Sequence, residues 1–173
     1  MAILPIRIYP DPVLRLKCRP VTEFGPRLAR LAANMAETMH AAPGIGLAAP
    51  QVGAEECLAV VDLSVGEDPA QLRVLVNPEV VRSEGLESDV EGCLSLPGIT
   101  DKVDRPAKVT VRGLSLAGEP FELTGDGWLA RALCHEIDHL QGILFVDHLR
   151  GLRRERVRRQ LRKLAAEREE VHA

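Results

Sequence analysis

The chain has 173 residues, of which 46% are hydrophobic and 27% charged, enough for one domain with a real core and short for two. No apolar run approaches the roughly 18 residues that a membrane span needs, and the opening MAILPIRIYPDPVL is broken by Pro5, Arg7, Pro10 and Pro12, which excludes a signal-peptide core. The formal net charge of −3 hides an asymmetry: residues 150–163 (RGLRRERVRRQLRK) hold eight of the 22 Lys and Arg but one of the 25 acids, leaving 14 basic and 24 acidic residues elsewhere. These features predict a cytoplasmic, single-domain protein with no membrane partner. Its basic end either touches a polyanion such as RNA or is a solvated helix face.

Pro26 opens a helical pattern in PRLARLAANMAETMHAA, with Leu28, Leu31, Ala32, Met35 and Met39 on one face and Pro43-Gly44 closing it. Met35 and Met39 read as core filling. From Glu56 to Leu123 the period changes to short β-rich runs, CLAVVD, LRVLVNP, VVRSEGLESDVEGC, KVTVRGL and PFELTG, separated by Gly, Pro, Asn and Asp, with SLAGEP (115–120) as one hairpin turn. Helix returns at GWLARALCHEIDHLQG, expected to be capped by Asp126 and stopped by Gly142, and an arginine-rich helix follows Asp147. The order predicts an α+β fold: a single domain over 1–173, mostly antiparallel sheet around a central histidine-bearing helix, with an N-terminal helix and a basic C-terminal helix and tail over 150–173.

In CHEIDHLQG (134–142), His135 and His139 lie one turn apart and about 40° apart around the helix, so both rings can face one ion. Glu136 and Asp138 flank that stripe, while Leu133, Ile137 and Leu140 face the other way, so the helix should be buried on both sides. Buried histidines and carboxylates must be paired or bind something. A metal with a carboxylate beside it satisfies this, as in the HExxH pattern of zinc hydrolases.

Two ligands leave such a site incomplete. The extension HExxHxxGxxH is followed through Gly142 and then offers Phe145, which cannot bind a metal. Candidates for the third ligand are Cys18, Cys57, Cys93, Cys134, His40 and His148. Cys134 points about 100° away from His135, and Cys57 begins an apolar strand. Cys93, in EGCLSLPG, stands at a strand end where Gly92 allows close approach and Pro97-Gly98 are expected to turn the chain; it is favoured over, but not separated from, a buried structural thiol.

GIGLAAPQVG (44–53) formally matches G-x-G-x-x-A, but a helix precedes it and Pro50 follows, so a nucleotide cofactor is not expected and a helix-terminating loop is the local reading. Together, GIGLAAPQ, EGCLS and HEIDH in this order resemble the three signature motifs of the peptide deformylase family, and the likeness extends from ILPIRIYPDPVLR to GILFVDHL.

That resemblance implies removal of the formyl group from N-formyl-Met nascent peptides, with release of formate. It implies one divalent metal held by Cys93, His135 and His139, with Fe2+ native and Zn2+, Ni2+ or Co2+ able to replace it. A water activated by the metal attacks the formyl carbon while Glu136 serves as general base and then acid. By the same likeness, Gln51 and the Leu94 N–H stabilise the oxyanion, Gly46 binds the substrate backbone, and Asp138 pairs with Arg105 to brace the ligand helix. It further implies a monomer whose segment 150–163 contacts ribosomal RNA.

Overall fold

The periodicity of the chain changes twice, from helix to strand and back, and the elements of the computed structural model, which describes residues 2–172, change with it. Helix α1 (Pro26–Ala41) begins at its proline and buries Leu28, Ala32, Met35 and Met39, the stripe that the spacing predicts. Strands β1 (Gly46–Ala48), β2 (Leu58–Val61), β3 (Arg73–Glu84), β6 (Lys108–Leu114) and β7 (Pro120–Asp126) form an antiparallel sheet in the order β1-β2-β3-β6-β7. Strands β4 (Glu87–Cys93) and β5 (Leu96–Arg105) form a separate two-stranded ribbon. Helix α2 (Gly127–Leu140) lies against both sheets, and α3 (Gly151–His172) closes the chain. The α+β architecture with antiparallel sheet is the one expected.

Four expectations about local structure need correction. Residues 44–53 are not simply a loop: β1 is an edge strand paired to β2, followed by a 3₁₀ turn over Ala49–Val52. The run 80–93 is not one strand, because it breaks at Gly85-Leu86, where the chain passes from β3 of the large sheet to β4 of the two-stranded ribbon. Pro97-Gly98 do not turn the chain away. The reversal comes at Leu94-Ser95, and Pro97 sits near the start of β5, whose alternation buries Leu96, Ile99, Asp101, Val103 and Arg105. Two of those inward positions are charged, so the period-2 signal of this strand is masked in the sequence. Finally, Asp126 occupies the N-cap of α2 but its side chain makes no capping hydrogen bond.

Packing divides the core around the ligand helix. One cluster sits between α1, β1, β2 and β3; a second between β2, β3, β6 and the back of α2, through Ala130, Leu133 and Cys134. A third joins Leu14, the β5 residues Leu96, Ile99 and Val103, the 144–149 segment, and Val157 and Leu161 of α3. Gly142 ends α2 with φ 76°, and a Cβ there would collide with the Arg15 backbone, so the helix end is locked on the N-terminal segment.

Candidate metal centre and active site

The β4–β5 reversal and α2 meet at one point. Because β4 stops at Cys93, its thiol is delivered onto the histidine face of α2: Cys93 Sγ lies 3.3 Å from His139 Nε2, and the His139 and His135 Nε2 atoms are 3.2 Å apart. The three donor atoms all fall within 4.8 Å of one another. Two imidazole nitrogens this close repel unless a proton or cation lies between them, and a thiolate with two imidazoles suits a divalent transition metal with one position left over. The residues fit such an ion.

The electrostatics follow from burial and partners. His135 Nδ1 faces Glu91 Oε1 at 2.8 Å, which places a proton on Nδ1 and aims Nε2 at the cluster. Burial alone lowers its pKa, but hydrogen bonds to Cys93 and Glu91 and the charge of Glu136 outweigh that and hold it well above the ordinary histidine value. Burial and the neighbouring His135 charge push His139 well below. One ring thus carries a proton that metal binding must displace, and the other is already a neutral donor.

Glu136 is 4% exposed, and its Oε2 has no hydrogen-bond partner among the described residues. Burial pushes its carboxyl up to about 7, against the pull of His135, so it can take and return a proton near neutrality. Gly46 is tied to it sterically: a Cβ at 46 would collide with the Glu136 carboxylate. The missing side chain therefore makes room for the base.

Gln51, 1% exposed, is oriented by the Ala48 N–H, which donates to Oε1 at 2.9 Å. Its Nε2 is thereby turned toward Ser95 Oγ at 3.2 Å and Cys93 Sγ at 3.5 Å. Leu94 lies on the turn beside it, and none of the turn and loop backbone hydrogen bonds among the described residues uses its N–H. Both donors border a cleft of about 420 Å³ that also holds Cys93, His135 and Glu136, with apolar walls from Ile45, Val90, Ile99 and Trp128.

The outer shell is larger than the sequence suggests. Arg105 Nη1 donates to Asp138 Oδ2 at 2.6 Å, the expected pair, and its Nε and Nη2 donate to Glu91 at 2.8 and 2.9 Å. Glu91 also accepts from Arg131 at 2.7 Å, and His148 lies 2.8 Å from Asp138. Burial would raise the Glu91 pKa, but Arg105 and His135 hold it far below the carboxylate range. Glu91, Arg131 and His148 were not anticipated in these roles. Arg131 could have been: it stands one turn before His135 in an otherwise apolar WLARAL, where an unpaired charge is untenable. Phe145, in place of a third histidine, is buried and stacks on the His135 ring at 6.1 Å between centroids.

All nine anticipated site residues thus gather around one cleft and its supporting shell. Cys134, Cys57, Cys18 and His40 lie outside the donor cluster. Residues 3–155 match the family model described as polypeptide deformylase. The chain is 51% identical over 164 residues to the peptide deformylase of Acidobacterium capsulatum, covering 95% of this chain and 96% of that one. Among solved structures it resembles a peptide deformylase from Legionella pneumophila (TM-score 0.88, 46% identity, 97% and 98% of the two chains). A plant peptide deformylase also superposes, with TM-score 0.93 at 37% identity over 96% and 91%.

Proposed function

The chain belongs to the peptide deformylase family, and from that premise we propose that Cys93, His135 and His139 hold its divalent metal and that Glu136 handles the proton of its hydrolysis. The reaction is removal of the formyl group from formyl-methionine at the start of newly made polypeptides. The observation that carries the residue assignment is the convergence of one thiol and two imidazole nitrogens, with a buried carboxyl of pKa about 7 on the same helix.

A divalent metal held by Cys93, His135 and His139 would supply a Lewis acid that makes water nucleophilic near neutral pH. Glu136 is the proton carrier: it would accept a proton from the attacking water and return it to the departing amine, which its raised pKa permits at neutral pH. As the formyl carbon becomes tetrahedral, its oxygen gains charge; Gln51 Nε2, already fixed by Ala48, and the Leu94 N–H are the donors placed to receive it. Ile45, Val90, Ile99 and Trp128 supply apolar walls for the methionine side chain, and Gly46 leaves the backbone of β1 approachable by an extended peptide. Glu91, Arg105 and Asp138 hold the ligand ring and helix in register.

The native metal is Fe2+ on this reading, with Zn2+, Ni2+ or Co2+ as substitutes, since a mixed thiolate–imidazole set accepts all four. We take the enzyme to be a monomer with one catalytic domain over 1–173, of which Met1 and Ala173 lie outside the described residues. No helix among the described residues is long and apolar enough to cross a membrane. Because the substrate arises on the ribosome, we place the enzyme in the cytoplasm, with exposed arginines of α3 contacting ribosomal RNA.

The test is formate release from formyl-Met-Ala-Ser by anaerobically prepared protein, with metal analysis of the same sample. Turnover with close to one metal per chain is expected. A fully metallated protein that releases no formate overturns the proposal.

A further inference from the structure

A pair of thiols lies away from the metal centre. The N-terminal segment joins the chain ahead of β2 through one parallel bridge, Arg19 to Glu56. There the Arg19 N–H donates to the Glu55 carbonyl at 2.7 Å and the Cys57 N–H donates to the Arg19 carbonyl at 2.9 Å. This seats Cys18 beside Cys57, which packs against the cluster that buries Cys18. Cys18 is buried with Ala48, Ala59 and Leu140, whereas Cys57 packs on the edge of that cluster and is only half-buried. Each backbone is held from a second side as well: the Cys18 N–H donates to the Leu140 carbonyl and the Cys57 carbonyl accepts from the Asn77 N–H, both at 2.9 Å. Two thiols are therefore held as packed neighbours on restrained backbones, one reachable from solvent and one behind it.

We propose that Cys57 and Cys18 are a peroxide-reactive dithiol, with Cys57 the attacking sulfur, Cys18 the resolving sulfur and an intramolecular disulfide the product. The Cys57 thiolate attacks one oxygen of a hydroperoxide; the O–O bond breaks, the other oxygen leaves with the electron pair and is protonated, and Cys57 becomes a sulfenic acid. Cys18 then attacks that sulfur, the S–S bond forms, the S–O bond breaks, and the departing hydroxide takes the Cys18 proton to become water. Two thiols are oxidised and one peroxide is reduced by two electrons. The microenvironment agrees with these roles. The neighbouring Cys18 thiol, aided by Lys17, lowers the Cys57 pKa against the effect of burial, while the Cys57 thiol, burial and the nearby acids raise Cys18. Cys134, buried and pushed up to about 11, has no comparable activation.

The test uses zinc-loaded protein, because zinc is redox-inert, exposed to less than one equivalent of hydrogen peroxide and mapped without reduction after alkylation. A peptide pair joined through Cys18 and Cys57, lighter by two hydrogens, is expected, forming at least about tenfold faster than any change at Cys134. In Cys18→Ala the reaction should stop at a sulfenic acid on Cys57, captured by a 1,3-diketone reagent. In Cys57→Ser, Cys18 should stay reduced while deformylation is unchanged. The proposal is overturned if both thiols of the wild type remain alkylatable, or if Cys18 is oxidised as fast in Cys57→Ser. Should Cys18→Ala fail to fold, the wild-type map and Cys57→Ser still decide it. The readout is thiol state, so its failure leaves the deformylase assignment standing.

Discussion

Helices α2 and α3 both carry many charged or titratable side chains, but they spend them differently. On α2, Arg131, Glu136 and His139 are buried and His135 is largely so, with Arg131, His135 and Asp138 each tied to a partner on another element. On α3 only Val157 and Leu161 are buried, and Arg154, Arg159 and Arg162 form no ion pair among the described residues. A charge removed from water requires a specific counterpart, whereas an exposed one is stabilised by solvent and requires none. Substitutions on α2 should therefore act on chemistry and folding together. Those on the outer face of α3 should act on neither.

The largest effect should come from Glu136→Ala. Loss of a positioned general acid–base should lower kcat for formyl-Met-Ala-Ser by about 10²- to 10⁴-fold, with metal content unchanged because Cys93, His135 and His139 remain. Retention of activity within a factor of a few would remove Glu136 from the proton-transfer role. Arg105→Ala comes next. It strips partners from buried Glu91 and from Asp138 together, so a loss of about 3–5 kcal/mol in unfolding free energy and of about 10- to 100-fold in metal affinity is expected. Denaturant titration and metal competition would measure both; unchanged values would show that the shell is decorative.

A smaller effect distinguishes burial from catalysis at the same residue. The folded protein holds the Glu136 proton up to about pH 7 against an ordinary value of 4.5, so the native state binds the proton more tightly than the unfolded one. The contribution to stability is thus complete below pH 4.5 and is lost as pH rises through 7, about 3 kcal/mol in all. In the metal-free protein, Glu136→Gln should remove this slope and be the more stable form above pH 7, with little difference near pH 4. Parallel stability curves for the two proteins would mean that Glu136 is not desolvated as described.

The asymmetry between the helices also explains what the sequence made legible. The period-3.6 stripes of α1 and α2 and the spacing of His135 and His139 are local, so they could be read directly, and three ordered motifs joined Cys93 and Gln51 to them by resemblance. Strand β5 could not be read because two of its inward positions, Asp101 and Arg105, are charged, and their partners Arg156, Glu91 and Asp138 come from distant parts of the chain. Glu91 was hidden for the same reason. It is the single buried residue of β4, and nothing within that strand indicates that Arg105, Arg131 and His135 will surround it.

The outer face of α3 provides the smallest effect on the fold and the most direct test of the contrast. Arg153 and Arg156 are already engaged with buried Asp101, whose carboxyl Arg156 holds below the ordinary range despite burial, so these two anchor the helix and should be left intact. Replacing Arg159, Arg162 and Lys163 with Gln removes three exposed cations and no ion pair, so stability should stay within about 0.5 kcal/mol of wild type and turnover on short formyl-peptides should not change. If these cations meet ribosomal RNA, association with ribosomes should weaken, and the slope of log affinity against log salt should become shallower by about 2, because each lost phosphate contact removes about 0.7–0.9 from that slope. An unchanged slope would leave α3 as a solvated helix whose anchoring pairs on Asp101 are its whole role.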